Sequence, residues 1–347
     1  MDTIIKKADE EGVYEEAAKI LQEGGLVAFP TETVYGLGGN ALDCNAARKI
    51  YAAKGRPSDN PLIVHIARKE SLNKLAKDIP KIAWELIEHF WPGPLTLILN
   101  KREQVPYGTT GGLETVAVRM PNNKVALRLI EEAGIYIAAP SANLSGKPSA
   151  TMAEHVYEDF NGRIDMILDG GMVEMGIEST VLDLTDSVPV ILRPGAITQT
   201  MLEQVIGTVV MDKAILAENQ EMDLKPKAPG MKYKHYAPKA DLTIITGKRE
   251  EVEAYINKKI QENKILGKNT GVIATIESQQ AYKDGIVKCI GARSKEGTIA
   301  KGLYKVLREF DHLHVDCIYA ESFEDDEMGI AIMNRLQKAA GYAIISV

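Results

Sequence analysis

The feature that most constrains this chain is a break. Residues 219–240, NQEMDLKPKAPGMKYKHYAPKA, hold three prolines and a glycine, with no helical or strand spacing of apolar residues. A stretch of that length without its own periodicity does not belong inside a compact domain, so it reads as a linker. It divides the 347 residues into two parts, each of ordinary domain size. The expected organisation is a first domain over 1–210, a linker over 211–240 and a second domain over 241–347.

Beyond the break the pattern is regular. The apolar runs DLTIITG (241–247), GVIATI (271–276), GIVKCI (285–290) and CIYAES (317–322) alternate with segments of helical period. Strict alternation predicts a small, Rossmann-like parallel sheet. Neither GxGxxG nor a Walker loop occurs there, so nucleotide binding by this domain would rest on fold analogy alone. The HLH at 312–314 reads as helix-end polarity.

Before the break, LVAFP (26–30), PLIVHIA (61–67), LTLIL (95–99), TVAVRM (115–120), IYIAAP (135–140) and MILD (166–169) are strand candidates. STVLDL (179–184) and VPVILR (188–193), joined by TDS, form a predicted antiparallel hairpin. Helices are predicted over 41–53, 80–90 and 125–134, the last ending at Gly134. The fold class is therefore α/β, with a mixed sheet covered on at least one face.

A composition of 45% hydrophobic and 26% charged residues supplies full cores. No apolar run approaches ~18 residues, so no membrane span is expected. MDTIIKKADEEG lacks the pattern of a secretory signal. Cys44, Cys289 and Cys317 form no CxxC pair, which argues against a zinc site or a disulfide framework and for a cytoplasmic location. Residues 1–210 carry 20 Lys and Arg against 28 Asp and Glu, a balance of −8. A protein gripping a nucleic-acid backbone would usually show the opposite sign.

Against that acidic background five polar segments stand out. In FPTETVYGLGGNA (29–41), Thr31, Thr33 and Tyr35 leave a strand end on alternate positions, before glycines that would let backbone approach a ligand. KGRPSDNP (54–61) presents Lys54, Arg56 and Asn60 between prolines, with His65 on the strand that follows. In LETVAVRMP (113–121), Thr115, Ala117 and Arg119 share one strand face, and a buried Arg119 needs an anionic partner. AAPSANLSGKPSAT (138–151) gathers Ser141, Asn143, Ser145 and Ser149 after small residues. Ser179 and Thr180 open the hairpin and Arg193 closes it, with Thr198 a suitable helix N-cap. Taken singly, each segment reads equally as a loop, a satisfied core histidine, an internal ion pair or a cap. Together they bring cations and hydroxyls to strand ends, where α/β sheets hold ligands. No GxSxG elbow or HExxH helix is present, so the set favours binding and orienting an anionic substrate over covalent work by the protein.

PTETVYGLG, KGRP-x-x-NPL-x-x-H, PSAN-x-SG, IESTV-x-D and RPGAI, in that order, resemble the YrdC-type domain of threonylcarbamoyl-adenylate synthases. APGMKYKHYAP and the α/β region after it resemble the long, two-domain form of that family. The resemblance implies an open twisted mixed sheet with helices for the first domain. It also implies condensation of L-threonine, bicarbonate or CO2, and ATP to threonylcarbamoyl-AMP and pyrophosphate, with Mg2+ accompanying the triphosphate. A downstream complex would transfer the product to the adenosine beside the anticodon of ANN-decoding tRNAs.

By resemblance, Thr33, His65, Arg119, the backbone of Ala139, and Ser179 fall on threonine-site positions. Arg56, Asn60, Thr115, Ser141, Ser149 and Arg193 fall on ATP-site positions, with Lys54 and Asn143 in the same motifs. Lys54 and Arg56 are the expected electrostatic catalysts. Tyr236 matches a residue that folds back over the nucleotide, which would make the linker a lid. Two alternatives remain at this point: a non-catalytic module with weak RNA contact, and a carbamoyl-phosphate enzyme of the hydrogenase-maturation type, whose extra regions have no counterpart here.

Overall fold

The computed structural model describes residues 2–216, 236–323 and 327–347. They group into two compact units. The first holds residues 2–145, 149–174 and 178–216; the second holds 146–148, 175–177 and everything described from Tyr236 onward.

The first unit is built on one sheet of eleven strands. These are β1 (Ile4–Lys7), β2 (Val27–Phe29), β3 (Gly36–Asn40), β4 (Ile63–His65), β5 (Leu95–Asn100), β6 (Thr115–Arg119), β7 (Ile137–Ala138), β8 (Met166–Asp169), β9 (Thr180–Asp183), β10 (Val190–Arg193) and β11 (Val210–Met211). Their spatial order is β1-β8-β2-β3-β7-β4-β6-β5-β9-β10-β11. Parallel pairs such as β4–β6 and β5–β9 alternate with antiparallel ones such as β5–β6 and β9–β10. This is the mixed α/β sheet expected.

Strand parity separates two faces. Val64, Leu97, Leu99, Val116, Val118 and Leu182 enter the main core with the helices. Ile63, Ile98, Ala117, Val181 and Leu192, from four of those strands and β10, form a small apolar floor on the other side. Helix ends are fixed locally. The Asn123 side chain accepts from the Val125 and Ala126 N–H groups, and Gly134 closes that helix at φ 61°. Thr198 caps the helix Gln199–Ile206 by accepting from Met201 N–H, as expected.

One expectation is corrected. GLGGN, expected to be loop glycines that let backbone approach a ligand, is strand β3, paired with β2 and β7. The glycines serve packing. A Cβ on Gly38 would lie 2.8 Å from the Phe29 ring and 2.9 Å from Ile137, and one on Gly39 would lie 3.2 Å from Ile50. β11 crosses the boundary expected at 210, and a short helix follows over Lys213–Leu216. Residues 217–235, most of the expected linker and lid, lie outside the described residues.

The second unit carries a sheet of five parallel strands: β12 (Asp241–Thr246), β13 (Thr270–Ala274), β14 (Ile286–Cys289), β15 (Cys317–Glu321) and β16 (Ile344–Ser346). Their order is β14-β13-β15-β12-β16, with helices over Arg249–Ile265, Glu296–Leu313 and Glu327–Ala339. All four pairings are parallel, as strand–helix alternation predicted. The helix Glu296–Leu313 ends on His314 at φ 50°, so the HLH is indeed a helix end. A cavity of about 290 Å³ opens by the carboxyl ends of β12 and β15. Its ionic groups are spent on one another: Arg293 pairs with Glu321 at 2.7 Å, Tyr282 donates to Glu321 at 2.7 Å, and Arg249 pairs with Glu253 at 2.7 Å. Among the described residues no helix is long and apolar enough to cross a membrane.

Candidate active site

The apolar floor of the first sheet is ringed by the residues the sequence singled out. β4 and β6 lie side by side and parallel, with Ile63 opposite Ala117 and His65 opposite Arg119. His65 and Arg119 therefore share one end of the ladder. Thr115 sits at the other end of β6, about 13 Å away at ~3.3 Å per residue. The segment running from Arg56 through Asn60 enters β4 at that same end.

At the His65 end, Arg119 is 3% exposed and donates from Nε to the Gly93 carbonyl (3.2 Å) and from Nη1 to Thr33 Oγ1 (2.9 Å). Thr33 Oγ1 lies 2.8 Å from Thr31 Oγ1, and Thr31 donates to the Val34 carbonyl at 2.8 Å. This chain of hydroxyls fixes the TETV turn. His65 is held well below the ordinary histidine range, at about 3, first by burial and then by the Arg119 charge; the carbonyls of Ile63 and Ile137 pull weakly the other way. A neutral imidazole whose Nδ1 faces the Ile63 carbonyl at 3.1 Å donates from that nitrogen.

Two further residues stand here that sequence reasoning missed. Glu32, between the two threonines, is 2% exposed, and its Oε2 lies 2.7 Å from Arg119 Nη2. The contact is one of charge: the groups are not aligned, and Glu32 Oε1, Glu32 Oε2 and Arg119 Nη2 make no hydrogen bond. Thr96, on the same face of β5 as Ile98, is the second; its hydroxyl lies 2.8 Å from Ser179 Oγ. The signal for Glu32 was an acid directly after a buried apolar strand. For Thr96 it was a lone hydroxyl in LTLIL.

Arg193 reaches the site through a β-bulge. Ile191 opposes Leu182 and Arg193 opposes Val181, so Leu192 is the extra residue. Regular alternation from the core-facing Ile191 would turn Arg193, two residues on, to the core. The bulge instead gives Arg193 the face of Val181, where it donates to the Ser179 carbonyl (3.0 Å) and Ser179 Oγ (3.1 Å).

At the other end, the helix Cys44–Lys54 stops at Gly55 with φ 60°, which reverses the chain between Lys54 and Arg56. Lys54 is 3% exposed and donates to the carbonyls of Ser141 (2.6 Å) and Asn143 (2.5 Å). It thus ties down the PSAN loop, a role its place in a cationic turn did not suggest. Arg56 Nη2 donates to the carbonyls of Asn60 and Pro61, both at 3.2 Å, and Tyr51 Oη donates to the Asn60 carbonyl at 3.0 Å. That leaves the buried Asn60 side chain with its Oδ1 unbonded. Ser141 Oγ donates to Asn143 Oδ1 at 2.6 Å, and Ser149 Oγ to the buried Glu178 at 2.6 Å. The Ala139 N–H is taken up by the Ile63 carbonyl at 2.9 Å. Tyr236 belongs to the second unit, where it is buried with φ 66° and its ring centroid lies 5.1 Å from that of Tyr304.

The family described as "Telomere recombination" matches residues 19–195, and that described as "Threonylcarbamoyl-AMP synthase, C-terminal domain" matches 197–341. The threonylcarbamoyl-AMP synthase of Pyrococcus abyssi is 51% identical over 343 residues, spanning 99% of this chain and 98% of that protein. The chain belongs to the threonylcarbamoyl-AMP synthase family. The Bacillus subtilis member is 53% identical over 331 residues, spanning 95% of this chain and 93% of its own. The crystal structure of P. abyssi Sua5 complexed with L-threonine superposes with a TM-score of 0.93 at 50% identity, covering both chains completely. The two-domain form of the threonylcarbamoyl-AMP synthase family is thereby shown over the whole chain.

Proposed function

We propose that this chain is an L-threonylcarbamoyladenylate synthase, a nucleotidyltransferase joining L-threonine, bicarbonate or CO2, and ATP into threonylcarbamoyl-AMP and pyrophosphate. The observation that carries the reading is the two-ended site: a buried arginine and neutral histidine at one end of the β4–β6 ladder, and the Arg56–Asn60 segment with Thr115 at the other. Threonine's carboxylate would answer Arg119, and the triphosphate would take Arg56 and Arg193, with Asn60, Thr115, Ser141, Asn143 and Ser149 about the nucleotide. Thr33, His65, Ala139 and Ser179 would line the threonine end.

Both nucleophiles come from the substrates. The threonine amine attacks CO2, and a carbamate oxygen then attacks the α-phosphorus as pyrophosphate leaves. The chain's residues bind, orient and exclude water from the labile carbamate. A histidine kept neutral adds no positive charge beside Arg119 and suits a hydrogen bond to the substrate hydroxyl.

Among the described residues no group of three His, Cys, Asp or Glu could hold a metal alone. Mg2+ would accompany the triphosphate and offset part of its charge. The buried, unbonded oxygens Asp59 Oδ1 and Asn60 Oδ1 are of the hard type that suits it.

The product would pass to a threonylcarbamoyl-transfer complex acting on tRNA, in the cytoplasm. That location suits the free cysteines Cys44, Cys289 and Cys317. The test is pyrophosphate release from ATP and bicarbonate with threonine, with serine or with no amino acid. Threonine-dependent release is expected; release indifferent to threonine, or none, overturns the reading.

A further inference from the structure

Resting on the threonine site just proposed, we infer that Glu32 receives the ammonium group of the substrate amino acid. Burying a carboxylate is costly unless its oxygens are hydrogen-bonded, and most buried charges have full sets of partners. Glu32 is 2% exposed and both its oxygens lack a hydrogen bond. The partner beside it, Arg119, is 3% exposed and has spent Nε and Nη1 on Gly93 and Thr33, but not Nη2. Two buried groups of opposite charge thus stand 2.7 Å apart, each with unused hydrogen-bonding capacity facing the other's.

An internal ion pair built only for structure would close its own geometry. Two short ion pairs of the second unit do so, since Arg293 Nη2 donates to Glu321 at 2.7 Å and Arg249 Nε to Glu253 at 2.7 Å. The Glu32–Arg119 pair is instead complementary to a zwitterion whose two charges are separated by a single carbon. Nη2 would take a carboxylate oxygen, and Glu32 the three-donor ammonium. The donor chemistry rules out the reverse: a guanidinium has nothing to accept with, and an ionised carboxylate has nothing to donate.

The same contact serves the reaction. An ammonium has no lone pair, so one N–H proton must leave before the C–N bond can form. Glu32 Oε accepts that proton. The freed lone pair attacks the CO2 carbon, one C=O π pair moves onto oxygen, and the second N–H proton passes to water, leaving a carbamate anion. Glu32 then returns its proton to solvent.

The experiment uses the full chain and two ligands: L-threonine, and 2,3-dihydroxybutanoate, which carries a hydroxyl where threonine has its ammonium. Calorimetry on the wild type and on Glu32→Gln gives four affinities, with ATP affinity as the check on folding. We expect Glu32→Gln to bind threonine at least about 30-fold more weakly, the loss typical of truncating one partner of a buried charge pair. Its affinity for the hydroxy acid should hardly change. Turnover of Glu32→Gln relative to wild type should also recover as pH rises towards the pKa of the free amine.

Equal loss for both ligands, with no recovery at high pH, would make Glu32 only the counter-ion of Arg119 and overturn the inference. Should Glu32→Gln not fold, Glu32→Asp takes its place: a greater loss for threonine than for the hydroxy acid upholds the inference, and equal losses overturn it. Absence of threonine-dependent pyrophosphate release from the wild type would instead defeat the underlying functional reading, a distinct result.

Discussion

His65 lies directly opposite Arg119 on the neighbouring parallel strand, both side chains buried. Each conditions the other: the guanidinium helps burial keep the imidazole neutral, and the neutral imidazole leaves the guanidinium's charge undiluted.

This pairing has a pH signature. The unfolded chain takes up a proton at His65 near pH 6.5, whereas the native site declines it until about pH 3. Between those values the unfolded state binds more protons, so stability is full above pH 6.5 and falls as pH drops through the window. From pH 7 to pH 5 the loss from this one group is about 2 kcal/mol. Urea unfolding of His65→Gln at both pH values should show a difference smaller by that amount. An unchanged difference would mean that His65 is not held neutral.

Arg119→Lys keeps the charge but loses the planar fork that serves Gly93, Thr33 and Glu32 at once. We expect KM for threonine to rise by about 10²-fold, as for a lost charge-assisted carboxylate contact, with KM for ATP little altered. Steady-state kinetics with each substrate varied in turn checks the split. Equal effects on both substrates would contradict the two-ended arrangement.

Lys54 and Arg56, two residues apart, should fail differently. Arg56→Ala should lower turnover roughly 10²–10³-fold, the usual effect of removing one transition-state charge contact. Lys54→Met takes the donor from two carbonyls of the Ser141–Asn143 loop and should cost about 2 kcal/mol of stability as well. Thermal melts and pyrophosphate release on both variants separate the two. Pyrophosphate release at the wild-type rate in Arg56→Ala would remove the residue from the phosphate site.

Gly38→Ala tests the packing of β3. The new methyl would meet Phe29 at 2.8 Å, Ile137 at 2.9 Å and the Val27 carbonyl at 3.0 Å. Overpacking of this kind costs about 1–3 kcal/mol. A denaturation midpoint equal to that of the wild type would show that the sheet has room there.

The particular residues explain what the sequence disclosed. Apolar runs such as LTLIL and TVAVRM announced their strands, because alternate positions had to meet two different environments. Arg119 was conspicuous as a cation in an apolar strand. β3 was hidden because glycine carries no strand preference; what makes GLGGN a strand is the bulk of Phe29, Ile137 and Ile50 pressed against it. Glu32 was hidden for a related reason. Between two threonines it looks like turn polarity, and its importance appears only when Arg119, 87 positions later, is folded against it. Arg193 was legible as a residue, but the bulge that aims it was not, since a one-residue register shift leaves no mark in composition.

The β4–β6 ladder acts as a caliper. The interval between its ends is set by the rise of the extended backbone, ~3.3 Å per residue, which no side-chain substitution can stretch. With threonine held at the His65–Arg119 jaw, as proposed, an engineer wishing to load a different amino acid would rewrite that jaw alone, and the jaw at Thr115 would keep its gauge.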